Sequence, residues 1–217
     1  MNVCLKTVLA SLLVSALAPA VAGTITVSPT GVSAPSLVEN FDGVNPLNGL
    51  SNQFARSGLS FQTLSGTGAN LLNTSQCNNS HAGMNSGYLY IGVTTPCSPS
   101  STLDSVSIKF SSAVSELSWT AFTTAVSAGY TVSAFNKGSM VASTVFNSSN
   151  SLYNSTVLFK GSVFDEVRIV ESAAGYQYMG IDTMAWKTAA IPLPGTLPLL
   201  AIGVLGFGAI RRKGRGA

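Results

Sequence analysis

Apolar and polar residues alternate over short stretches along most of this chain. Val106, Ile108 and Phe110 are separated by Ser107 and Lys109, the period of two expected of a strand with one buried face. The same reading predicts strands at Tyr88–Val93, Val106–Phe110, Val114–Trp119, Tyr130–Phe135, Met140–Phe146, Thr156–Phe159, Val163–Val170 and Met179–Trp186. Punctuation falls where turns need it: Ser111-Ser112-Ala113 reads as a break, Asn136-Lys137-Gly138 as a hairpin turn, and Asn147 to Ser151 as a polar loop. Short strands at this spacing predict an all-β fold, a single antiparallel β-sandwich. No window shows a 3.6-residue period until the C-terminus.

Both ends depart from that pattern. Met1 to Ala22 carries Lys6, then an apolar stretch from Val8 to Leu17, then two small-residue cleavage sites, Ala18-Pro19-Ala20 and Ala20-Val21-Ala22. Residues 1–22 read as a secretory signal peptide, with a retained signal anchor as the alternative. At the other end, Leu197 to Ile210 is uncharged, and Arg211, Arg212, Lys213 and Arg215 follow at once. Extended back to Ile191, the run has about 20 residues compatible with a transmembrane helix. Its basic end acts as a stop-transfer signal and belongs on the cytoplasmic side. The expected division is 1–22 signal peptide, 23–190 β-sandwich ectodomain and 191–217 C-terminal sorting signal.

The tail, with Pro192, Leu193, Pro194, Gly195 and Thr196 ahead of an apolar run and an Arg-rich end, resembles the PEP-CTERM sorting signal of exosortase substrates. Leu193 stands where the type signal has Glu, as in the VPLP variant. The resemblance implies an exosortase-type membrane peptidase as partner, cleavage near the motif, and passage from an inner-membrane-anchored precursor to the cell surface or the medium. A plain single-pass anchor is the other reading. The ectodomain also resembles a lectin-like jelly roll of exosortase substrates. The matching segments are Glu39-Asn40-Phe41-Asp42, Gly58-Leu59-Ser60-Phe61, Ser107-Ile108-Lys109-Phe110-Ser111, Val132-Ser133-Ala134-Phe135-Asn136-Lys137-Gly138 and Gly180-Ile181-Asp182-Thr183-Met184. That likeness implies a structural Ca2+ between the first and last strands, with Glu39, Asp42 and Asp182 as ligands, although Thr183 stands where a second acid is common. The alternative makes Glu39 and Asp42 solvated turn residues and Asp182 an exposed strand residue or a local cap.

Charge narrows the partners. The whole chain is +3, but residues 23–190 hold six basic and eight acidic residues, a net charge of −2. The basic excess lies in the end segments, so it is no argument for nucleic-acid binding. Cys4 leaves with the signal peptide, and Cys77 with Cys97 reads as one disulfide in an exported protein, closing a loop that would stabilise by about 3 kcal/mol.

Catalytic chemistry finds little support. His81 is the only histidine, it lies in an Asn/Ser-rich loop, and no Gly-x-Ser-x-Gly accompanies it. Asp165 and Glu166 are adjacent, so on a regular strand they point to opposite faces and cannot form a glycosidase pair. Tyr176 and Tyr178 share one face of an extended segment and are candidate glycan contacts. The expected function is that of an exported, non-enzymatic surface or extracellular-matrix protein. The alternative is a carbohydrate-binding module acting on exopolysaccharide or cell-wall glycans.

Overall fold

The computed structural model describes residues 22–42, 54–66, 69–73, 87–91, 93–94, 98–99, 103–123, 129–146, 155–172 and 179–190. Within them the protein is all-β, with one short 3-10 turn at Ala55–Ser57. The strands are β1 (Thr24–Ser28), β2 (Leu37–Glu39), β3 (Leu59–Ser65), β4 (Ala69–Asn73), β5 (Gly87–Ile91), β6 (Val93–Thr94), β7 (Ser98–Pro99), β8 (Ser105–Thr123), β9 (Tyr130–Asn136), β10 (Ser139–Phe146), β11 (Ser155–Glu171) and β12 (Met179–Thr188). Ten of them form one sheet with main path β10-β9-β11-β8-β12-β5-β4, while β6 and β7 pair separately.

Two strands are far longer than the alternation predicts. The expected break at Ser111-Ser112-Ala113 lies inside β8, and the two strands expected at 156–159 and 163–170 are one strand, β11. The long strands serve both halves of a folded sheet. The first half of β8 pairs with β3 and with Glu166–Val170 of β11, and β9 and β10 extend it. The second half of β8 pairs with Ser155–Lys160 of β11 on one side and with β12 on the other. Strand β1 borders β11 there, while β5 and β2 border β12. Register shifts at Lys160/Phe164 and Phe164/Glu166 mark the corner. A bulge adds a residue, bends the strand and resets which face each side chain takes. Hence Phe159, Phe164 and Val167 all reach the interior despite their uneven spacing.

The two halves close on one core. Val106, Ile108, Val132 and Ile169 from one half join Leu117, Trp119, Phe159 and Ile181 from the other in a single buried cluster. Phe110 spans the join, with ring centroids 5.7 Å from both Phe164 and Trp186. Non-sequential edges also meet, since Gly23 N–H donates to Val141 O at 3.1 Å. A folded antiparallel sheet with one shared core is a β-sandwich arrangement.

Candidate functional site

Glu39-Asn40-Phe41-Asp42 forms a tight turn rather than a solvated strip. Glu39 Oε1 accepts from Phe41 N–H at 3.0 Å, and Asn40 Oδ1 accepts from Asp42 N–H at 3.3 Å. Ser57 Oγ donates to Glu39 Oε2, tying this turn to the 3-10 segment. The turn holds Phe41 at φ 58° and fully buried, with its ring 5.1 Å from Phe54 in an edge-on contact. The acid at the head of this motif therefore anchors an aromatic plug.

Asp182 is fully buried on β12, and its Oδ1 accepts from Thr183 N–H at 2.6 Å and from Thr183 Oγ1 at 3.2 Å. Thr183 has φ 48°, and the β12–β8 register shifts between Asp182 and Ala185. Asp182 thus pins a bulge that lets Ile181 and Met184 both face the core. The β2–β12 pairing sets Glu39 opposite Met184, two residues beyond Asp182. Among the described residues, no three of His, Cys, Asp and Glu gather in a group able to hold a metal ion, so Glu39, Asp42 and Asp182 do not form such a set.

A charged network on the outer face of the first half was not anticipated. Arg168 donates from Nε to Glu166 Oε1 at 2.7 Å and from Nη2 to Oε2 at 3.1 Å, while Ser107 Oγ donates to Oε1 at 2.6 Å. The Arg168 guanidinium lies 4.1 Å from the Phe135 ring centroid. The Arg168 hydrogen bonds hold the Glu166 carboxyl below its ordinary range, against an opposing contribution from burial. Lys109 stands opposite Glu166 in register and donates to Gln62 Oε1 at 3.3 Å. The sequence signal was available: Arg168 two residues after Glu166 on one strand places both on one face. What no single strand could give was the neighbouring Ser107 and Phe135.

Phe135 is half-buried beneath Arg168, and the larger rings of the core are enclosed. Trp119, Tyr130 and Trp186 are all buried. Tyr176, Tyr178, Cys77, Cys97 and His81 lie outside the described residues, as do the apolar run 197–210 and the basic residues Arg211, Arg212, Lys213 and Arg215. Among the described residues no helix is long and apolar enough to cross a membrane.

Comparison with known proteins bears on the tail directly. Residues 190–213 match the PEP-CTERM protein-sorting motif. This motif marks an exported, membrane-processed protein and implies handling by exosortase-type machinery. No curated protein matches the chain. Among solved structures, the chain is similar to the K2 cleaved adhesin domain of Lys-gingipain (Kgp), with 12% identity, TM-score 0.45, and 70% of this chain and 98% of that one covered. It is also similar to CpGH89CBM32-6 produced by Clostridium perfringens, with 15% identity, TM-score 0.36, and 63% of this chain and 98% of that one covered.

Proposed function

We propose that this chain is a non-enzymatic surface or extracellular-matrix protein, exported through residues 1–22 and sorted through residues 191–217. The observation that carries the reading is the sorting motif at 190–213, which begins where the described β-domain ends at residue 190. In this reading Pro192 and Pro194 keep the segment between domain and membrane extended, because proline excludes helix there and biases the preceding residue toward extended backbone. The segment is then open to a membrane-embedded peptidase. The folded sandwich, of jelly-roll type in this proposal, is the delivered cargo.

Mass spectrometry of the protein recovered from its native host tests the proposal. The expected mature form lacks residues 1–22 and ends near Pro194 to Thr196, without Arg211 to Ala217. A membrane-bound form still ending at Ala217 would replace the sorting reading with a single-pass anchor. Screening the same mature protein on a glycan array tests the remaining choice, and saturable glycan binding would make it a carbohydrate-binding module.

A further inference from the structure

Two acids occupy core positions at one end of the first half-sheet. Asp104 continues inward from Val106 and Ile108, and Glu171 continues from Val167 and Ile169, with exposures of 0% and 2%. The two residues are locked together: Asp104 N–H donates to Glu171 Oε2 at 3.0 Å, and Glu171 N–H donates to Asp104 O at 2.9 Å. Glu171 Oε1 is buried and has no hydrogen-bond partner. Among the described residues the salt bridges are Arg168–Glu166 and Lys187–Glu116, so no basic side chain pairs with Glu171.

We propose that Asp104 and Glu171 hold a hard divalent cation, Ca2+ by chemistry, at this end of the sandwich. A buried carboxylate oxygen without a donor is destabilising, and more so when it is charged. A single proton shared by the pair would not neutralise both carboxylates. A cation does, since Ca2+ takes six to eight oxygen ligands from carboxylates, carbonyls and water. The surroundings supply such oxygens. The Leu103 carbonyl lies beside Gly66, as does Asp104 Oδ1, and a Cβ added to Gly66 would come within 2.7 Å and 2.3 Å of them. Gly66 has φ 67°, and its missing side chain lets both oxygens close in where a Cβ would otherwise stand. Burial pushes the Glu171 carboxyl above its ordinary range, the charge of Asp104 adds to this, and the bond from Asp104 N–H opposes it.

The position gives the ion a role. Asp104 precedes β8 and Glu171 ends β11, while Tyr130, opposite Glu171 in register, opens β9. Ser172 N–H donates to Gly129 O at 2.8 Å just beyond. A bound cation would tie three strand ends together on the exported domain, where millimolar calcium is available to a weak site. The site is separate from the Glu39 turn and from the Asp182 bulge.

The test uses the full chain in mild detergent, with Ca2+ alone as the probe. Thermal unfolding is followed with added calcium and with chelator, and Tb3+ luminescence is excited through tyrosine. Wild type should melt higher with Ca2+ in a saturable manner, and Ca2+ should displace Tb3+. Glu171→Gln and Asp104→Asn should each weaken the apparent affinity by about tenfold or more, because affinity follows ligand charge, while Glu39→Gln should keep it. A melting temperature blind to calcium and chelator overturns the proposal, as does a calcium response that survives in both variants. If Glu171→Gln melts higher than wild type with no calcium effect in either, the pair shares a proton instead. Should one variant fail to fold, Tb3+ displacement in wild type and its loss in the other decide the matter.

Discussion

At the scale of single residues, the sites where this protein departs from ordinary backbone are the informative ones. Thr183 is β-branched and sits at φ 48°, a conformation that costs an L-residue roughly 1–2 kcal/mol. Asp182 offsets part of that cost by accepting from both Thr183 N–H and Thr183 Oγ1. Replacing Thr183 by Asn, which tolerates this region, should stabilise the fold by about 0.5–1 kcal/mol, or a rise in Tm of a few degrees for a domain of this size. Differential scanning calorimetry checks it, and a lower Tm would mean that the hydroxyl bond outweighs the backbone relief. Glu166 offers a second test. Its folded-state pKa is depressed below the ordinary 4.5, chiefly by Arg168, so its contribution is present above that value and lost as pH falls through the folded pKa. The stability gap between wild type and Glu166→Gln should be widest near neutral pH and shrink below about pH 4. Urea midpoints that keep the same gap down to about pH 3 would leave no role for the charge. Glu171 works in the opposite sense: its pKa is raised from 4.5, so without a cation its contribution fades as pH rises through the folded pKa.

At the scale of elements, the hairpin was legible and the corners were not. Asn136-Lys137-Gly138 signalled a tight turn, and β9 and β10 are joined there with Asn136 opposite Ser139, Lys137 at φ 49° and Gly138 at φ 81°. Positive φ at both central residues matches the twist of the flanking strands. Asp165 fixes the turn by accepting from Lys137 N–H at 3.1 Å and 3.2 Å. A Cβ on Gly138 would meet nothing within 4 Å, so Gly138→Ala should cost only the backbone strain, about 1 kcal/mol. A chemical-denaturation midpoint showing a loss several times larger would mean that the turn is a hidden contact. Alternation identified the apolar faces of β8 and β11, yet each was split in two. The physical reason is that a bulge and a polar break look alike in sequence: both interrupt the period of two. Only the partner strands, with Val114 opposite Phe164 and Lys109 opposite Glu166, show that the chain bends onward instead of turning back. The same limit hid the acids. Asp104 and Glu171 each extend an apolar alternation by one polar residue, which reads as a strand end until the register places them side by side.

At the scale of the whole molecule, charge separates the span that holds the described strands from the two end segments. The intact chain is +3, while residues 23–190 carry −2, because every acidic residue lies in that span and five of the basic residues lie outside it. If both ends are removed on export, maturation reverses the sign of the protein, and isoelectric focusing should show a basic precursor and an acidic product. The basic cluster has a task of its own in the proposed route. Arg211, Arg212, Lys213 and Arg215 hold the tail on the cytoplasmic side while the Pro192–Pro194 segment is presented outside. Replacing all four by Ser should leave the unfolding of the β-domain unchanged, since none of the described strands extends beyond residue 188. It should nevertheless reduce the acidic product and let uncut precursor accumulate or escape into the medium. Immunoblots of cell fractions separated by isoelectric focusing report both species. Normal processing of the uncharged tail would remove the stop-transfer role and leave recognition to the Pro-rich segment and the apolar run alone.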